Sequence, residues 1–331
     1  MRAINASSGS PWVRAASLLD AGFDAGIWYS DGAVWRFQKG DSVANVPIFA
    51  AILTVCAILS QTGRVSIPDT WTNRTQPFRV FDNIYYVGTE DLSSFLITSE
   101  AGHVLIDTGH EKNADAVMAA IRQAGFKVED VRIILTTQAH FDHVGAHARL
   151  AEASGARVLV SAQDAPLVRE GGRGDFHFGP DYYFPKIKVD GELHDGQIVT
   201  VGSIALTARI TPGHTKGTTT WTMMARDRNG RMRHVVVLGS TTVNDGVKLV
   251  DNREYPQIVS DFRKSFRVQK GLTCEVFLSA HASAFNGLEK AKASAGGKGE
   301  DAFIDPQGCR AAIERTEKAF EARLAEQGGQ R

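Results

Sequence analysis

Residues Leu135–Gly145 read LTTQAHFDHVG, which puts His140, Asp142 and His143 side by side directly after the apolar run Val131–Leu135. Packing a core needs no such cluster. Neutral imidazole and carboxylate are ligands that zinc accepts. In a loop leaving a strand, His140 and Asp142 can lean to one side while His143 points elsewhere, so one short loop can serve two adjacent ions. The remaining ligands must come from later strand ends. His214 in TPGHTKGT, where Gly213 frees the backbone, and His281 in FLSAHAS both stand just past apolar strands. His103, His110, His147, His194 and His234 lie beside turns or on strand faces and lack ligand spacing.

These ligands need rigid elements behind them. NIYYVG, SFLITS, HVLIDTG, VRIILTT and ARVLVSA read as strands in a first half. Between them KNADAVMAAIRQAG reads as a helix that Asn113 caps and Gly125 stops. KIKVD, QIVTVG, IALTARITPGH, TTTWTMMA, MRHVVVLGS and CEVFLSAH supply strands to a second half, with a helix over about Pro256–Gln269. A last helix opens at Asp305-Pro306, with proline in the first turn, and puts Cys309, Ile313, Phe320 and Leu324 on one side. Two such halves, each with buried strands that need helices outside them, predict a mixed α/β fold: a four-layer αββα sandwich. Arg169–Pro185, REGGRGDFHFGPDYYFP, reads as a long surface loop of the kind that often carries function.

The chain has 331 residues, 43% hydrophobic and 22% charged, with a formal net charge of zero. That balance suits a globular protein and offers no basic stripe for nucleic acid. Val46–Leu59 is an uninterrupted apolar run after Arg36 and Lys39. At about fourteen residues it is too short to span a bilayer and suits a signal-peptide core. Residues 46–62 are therefore read as a signal peptide and 63–331 as a single domain in the periplasm, without a stable membrane anchor. LTVC at 53–56 fits a lipoprotein box poorly, because valine precedes Cys56. Residues 1–45 show no clear periodicity and are consistent with an overlong start. Loss of Cys56 with the signal leaves Cys274 and Cys309, which either bridge in an oxidising compartment or stay as buried thiols.

The ligand pattern resembles that of the metallo-β-lactamase superfamily, H-x-H-x-D-H followed by later single histidines. More narrowly, YVGTEDLSSFLITSEAGHVLIDTGH, DFHFG…FP and TPGHTKGTTTW are similar to the opening strands, mid-chain loop and second ligand turn of subclass B3, over about Phe81–Leu324. The resemblance implies one zinc held by Gln138, His140 and His214, and a second held by Asp142, His143 and His281. Gln138 replaces the commoner histidine and implies a weaker first site. The resemblance also implies a Cys274–Cys309 disulfide.

The function implied by this resemblance is that of an exported enzyme that hydrolyses the β-lactam amide and confers resistance to β-lactam antibiotics. Zinc lowers the pKa of water to near 7, and hydroxide held between the ions would attack the ring carbonyl. Asp142 would both ligate zinc and orient the nucleophile. Many superfamily hydrolases of thioesters, lactones or phosphodiesters carry an aspartate bridging the metals, where this chain has Gly239 and Ser240; Asp245 stands too late. Ser240 and Thr242 are candidates to bind the substrate carboxylate or simply to cap a turn. Lys248 or Lys216 could add charge there, though each fits a solvated surface lysine. Phe176, Phe178, Tyr182 and Tyr183 are candidate pocket walls. The alternatives are a thioester or lactone hydrolase on the same scaffold, or a metal-poor binding protein.

Overall fold

A strand presents successive side chains to opposite faces, and the apolar runs of this chain use both. The structure, a computed structural model, describes residues 25–30, 33–38 and 66–328. The signal-peptide reading of 46–62 lies outside the described residues. Within residues 1–63, which form a unit of their own, β1 (Ala25–Ser30) and β2 (Ala33–Gln38) pair as an antiparallel hairpin, although the sequence there shows no clear strand periodicity.

The second unit holds both ligand-bearing halves. Its first sheet runs in chain order through β3 (Phe78–Phe81), β4 (Ile84–Tyr86), β5 (Phe95–Ile97), β6 (His103–Ile106), β7 (Val131–Leu135), β8 (Arg157–Ser161) and β9 (Gly191–Leu193). Pairing is antiparallel from β3 to β6 and parallel from β6 to β9. Parallel neighbours need crossovers. Helix α1 (Ala114–Gln123) supplies the first, α2 (Phe141–Val144) with α3 (His147–Ser154) the second, and α4 (Ala165–Arg169) precedes β9. The second sheet is β10 (Ile198–Val201), β11 (Ile204–Ile210), β12 (Thr219–Arg226), β13 (Met232–Leu238) and β14 (Val276–Ser279), with α5 (Ile258–Lys270) crossing between its one parallel pair, β13 and β14. Helices α6 (Gly287–Ala293) and α7 (Pro306–Gly328) complete the unit.

Two cores follow from the alternation. Phe95, Ile97, Val104, Ile106, Ile133 and Leu135 share one core with Leu206, Ala208, Trp221 and Val237 of the second sheet. Leu96, Leu105, Ile134 and Val158, on the other face, pack with Val117 and Ile121 of α1 and Leu150 of α3. On the far side Phe262 of α5 meets Phe320 of α7 at 5.1 Å. The result is the mixed α/β arrangement of two sheets with helices outside that the patterns predict. Among the described residues no helix is long and apolar enough to cross a membrane.

Three local expectations need correcting. Lys186–Asp190 forms no strand; the edge strand is Gly191–Leu193, three residues long. Asn113 stands at the start of α1 without capping it, and its side-chain amide donates instead to the Trp71 carbonyl at 2.9 Å. The ligand motif is not all loop. Phe141–Val144 forms one helical turn, which swings Asp142 to the side of His143 and away from His140.

Candidate metal centre

The segment after β7 is pinned before any ligand is reached. The backbone N–H of Thr219 donates to the Thr137 carbonyl at 2.7 Å. Thr137 donates to the buried Asp107 carboxylate from its N–H at 2.7 Å and its hydroxyl at 2.6 Å. Asp107 itself takes a left-handed backbone at the end of β6, with φ +56°. Asp164, fully buried ahead of α4, accepts from the Ala139 N–H (3.1 Å), the Thr215 hydroxyl (2.6 Å) and the Gly217 N–H (2.7 Å). One carboxylate therefore fastens the Gln138–His140 segment to the turn that carries His214. Gly213 in that turn has φ +138°, and a Cβ there would stand 2.7 Å from the Phe262 ring.

Six side chains converge in two groups. In the first, Gln138 Nε2 and His140 Nδ1 each lie 3.1 Å from His214 Nε2. His214 Nδ1 faces the Thr242 carbonyl at 2.8 Å, which holds the proton on Nδ1 and leaves the Nε2 lone pair free. Burial, aided by His140, presses the His214 imidazole down to about 3, so it is neutral. In the second group, Asp142, His143 and His281 present ligand atoms all within 4.8 Å of one another. Asp142 Oδ2 is 3.2 Å from His143 Nε2 and 3.6 Å from His281 Nε2. Burial alone would raise the Asp142 carboxyl, but the charge of His143 and contacts from both histidines hold it well below the usual range. Against the same burial, the negative charges of Asp142 and Asp107 lift His143 to about 10.

Each histidine also meets a group behind it. His281 Nδ1 is 2.9 Å from Asp91 Oδ2, His143 Nδ1 is 3.4 Å from Asp107 Oδ2, and His140 Nε2 is 3.6 Å from Asp175 Oδ2. Carboxylates and carbonyls behind imidazoles are what orient metal ligands. Neither ring nitrogen of buried His143 has hydrogen-bond geometry to a partner, and buried Gln138 Oε1 has no partner. Turning the Gln138 amide over would present that oxygen to His214 Nε2 in place of the N–H. Buried polar atoms left without partners are costly. A cation among these imidazole nitrogens and amide or carboxylate oxygens would satisfy them, taking the place of the proton that His143 otherwise holds. The donor set thus fits zinc.

The two groups open onto a cleft of about 500 Å³. Trp71, Phe178 and Tyr182 line it, as do Ser240 and Thr242. The Ser240 and Thr242 hydroxyls are 2.9 Å apart, and the Thr242 N–H donates to Ser240 Oγ, so these residues both cap their turn and face the cleft. Phe176 is packed on Tyr255 at 5.1 Å and Tyr183 lies under Arg173, so neither walls the cleft. Lys216 sits over the Tyr255 ring, and neither it nor Lys248 lines the cleft. Asp245 is ion-paired with Arg323 at 3.0 Å and does not line the cleft. At Gly239 a Cβ would lie 2.7 Å from both the Thr218 methyl and the Thr219 carbonyl oxygen, leaving no room for a side chain. Cys274 and Cys309 form a disulfide, with Cα atoms 6.5 Å apart. Sequence reasoning missed Trp71, Asp91, Asp164 and Asp175. Only the strand-end setting of Asp107, in VLIDTG, gave a signal for any residue of the outer layer.

The sequence profile of the metallo-β-lactamase superfamily matches residues 87–281, and the chain belongs to that superfamily. Among solved structures it is similar to the FEZ-1 metallo-β-lactamase of Legionella gormanii, at 40% identity and TM-score 0.76 over 78% of this chain and 98% of that one. It is also similar to BJP-1, a subclass B3 metallo-β-lactamase of Bradyrhizobium japonicum, at 34% identity and TM-score 0.74 over 78% of this chain and 97% of that one. A hydroxyacylglutathione hydrolase of Methylobacterium nodulans is 33% identical over 101 residues, 30% of this chain and 31% of that protein's length.

Proposed function

We propose that the protein is an exported zinc-dependent β-lactamase that opens the β-lactam amide and protects its host from β-lactam antibiotics. The observation that carries this reading is the pairing of the two donor groups at one cleft where Gly239 and Ser240 supply no carboxylate to bridge them. The similarity to FEZ-1 and BJP-1 over almost the full length of each supports it.

In this reading Gln138, His140 and His214 would hold one zinc ion, and Asp142, His143 and His281 the other. Zinc in such a site supplies Lewis acidity and a nucleophile at neutral pH. The remaining work falls to the chain. Asp142, kept ionised, is an acceptor only and can orient a water molecule in the cleft. The Ser240 and Thr242 hydroxyls offer hydrogen bonds to a substrate carboxylate at the rim. Trp71, Phe178 and Tyr182 give apolar surface that excludes bulk water and packs a bicyclic substrate. The apolar run at 46–59 supports export through a cleaved signal.

A second reading, thioester hydrolysis, is favoured by the stretch shared with the hydroxyacylglutathione hydrolase. Gly239 and Ser240, which stand where such enzymes carry a bridging aspartate, offer no carboxylate, and this argues against the second reading. Assaying zinc-loaded protein with a cephalosporin and an S-acyl glutathione side by side separates the two. Turnover of the cephalosporin is expected; turnover of the thioester alone would overturn the proposal.

A further inference from the structure

Among the described residues lining the cleft, Arg315 is the sole lysine or arginine, and Asp142, inside the donor cluster, is the sole acid. Arg315 is exposed on α7, and among the described residues no carboxylate lies within ion-pair distance of it, whereas Arg323 on the same helix is held by Asp245 at 3.0 Å. Its place is fixed by its neighbours. Ala312, Arg315 and Thr316 share one face of α7 through the i, i+3, i+4 spacing, and all three line the cleft. The Thr316 hydroxyl lies 2.9 Å from that of Thr241, which fastens this face to the loop carrying Ser240 and Thr242. The same helix is joined to the start of β14, and so to the His281 strand, by the Cys274–Cys309 disulfide. A permanent positive charge thus lines the same cleft as two hydroxyls that are neutral and already partnered to each other.

We propose that Arg315 is a specificity residue, the cation that meets the carboxylate of the substrate, an assignment that rests on the β-lactamase reading. Neutral hydroxyls can orient a carboxylate but do not compensate its charge. The planar guanidinium does both, with two parallel N–H donors matched to the two oxygens. The side chain is long and solvated, so the gain is modest and falls mainly on KM.

The test uses zinc-loaded protein with a cephalosporin and its carboxylate methyl ester, comparing wild type with R315M and R315K. KM reports recognition where turnover occurs, and calorimetric Kd reports it where none does. Wild type is expected to favour the acid over the ester by roughly tenfold, R315M to bind the two alike, and R315K to keep part of the preference. Added salt should erode the wild-type preference. A wild type indifferent to the carboxylate, or R315M with the full preference, would overturn the assignment. Acid-selective binding lost in R315M but without hydrolysis in wild type would instead sink the β-lactamase reading and leave Arg315 as a carboxylate site.

Discussion

Nδ1 of His281 lies 2.9 Å from Oδ2 of Asp91, and that same oxygen accepts from the Trp71 indole N–H at 3.2 Å. The backbone doubles the link: the Ala282 N–H donates to the Asp91 carbonyl and the Ser93 N–H to the Ala280 carbonyl. Asp91 therefore fixes both the ring orientation and the proton position of His281 while holding the aromatic wall against it. Removing the carboxylate by Asp91→Asn should weaken zinc at the Asp142–His143–His281 group by roughly 10- to 100-fold. Competitive zinc titration reads this; wild-type affinity would show that the outer carboxylate is idle.

Gln138 brings an amide to a position where imidazole would donate more strongly. Gln138→His should raise zinc affinity at the first group and leave the second unchanged. An unaltered first step in the titration would put Gln138 outside the ligand set.

Asp164 ties three separate donors together from a fully buried position, and burial pushes its carboxyl up. Asp164→Ala would leave the Ala139 and Gly217 N–H groups and the Thr215 hydroxyl without that acceptor. The expected loss is about 3 kcal/mol of stability, with weaker binding of the first zinc. Denaturant unfolding of the metal-free protein separates the two effects, and an unchanged midpoint would contradict the first.

His147 is buried between the hydroxyls of Thr108 and Thr136, at 2.7 and 2.9 Å. Burial lowers its pKa from 6.5 to about 4. Between those values the unfolded chain takes up a proton that the folded protein refuses. Stability contributed by the neutral ring is therefore complete above about pH 6.5 and is lost as pH falls towards 4, by about 3 kcal/mol in all. Unfolding of metal-free protein across that range should show the slope, and His147→Gln should remove this part of it. An identical slope in both proteins would assign the acid sensitivity elsewhere.

The ligand positions were legible because a metal demands particular side chains at strand ends, and His140, His143, His214 and His281 all follow apolar runs that become β7, β11 and β14. The mixed α/β layering was legible for a similar reason: Ile133 and Leu135 alternate with Ile134 between two cores. What stayed hidden depends on distant contacts. Asp91 and Asp175 sit in turns, where a carboxylate reads as a cap, and only the fold brings His281 and His140 to them. Asn113 looked like a helix cap by type, yet its amide serves Trp71, 42 residues away. Nothing in the sequence singles out Arg315, and only the fold, through the Thr316–Thr241 contact, brings its helix face to the cleft.

The most direct test of the central claim is to strip the protein with chelator and follow cephalosporin hydrolysis as zinc is restored. The account predicts no turnover in stripped protein and recovery that tracks zinc uptake to two ions per chain, the weaker step being the Gln138 group. Hydrolysis that persists without metal, or two bound zinc ions with no hydrolysis of any β-lactam, would contradict it.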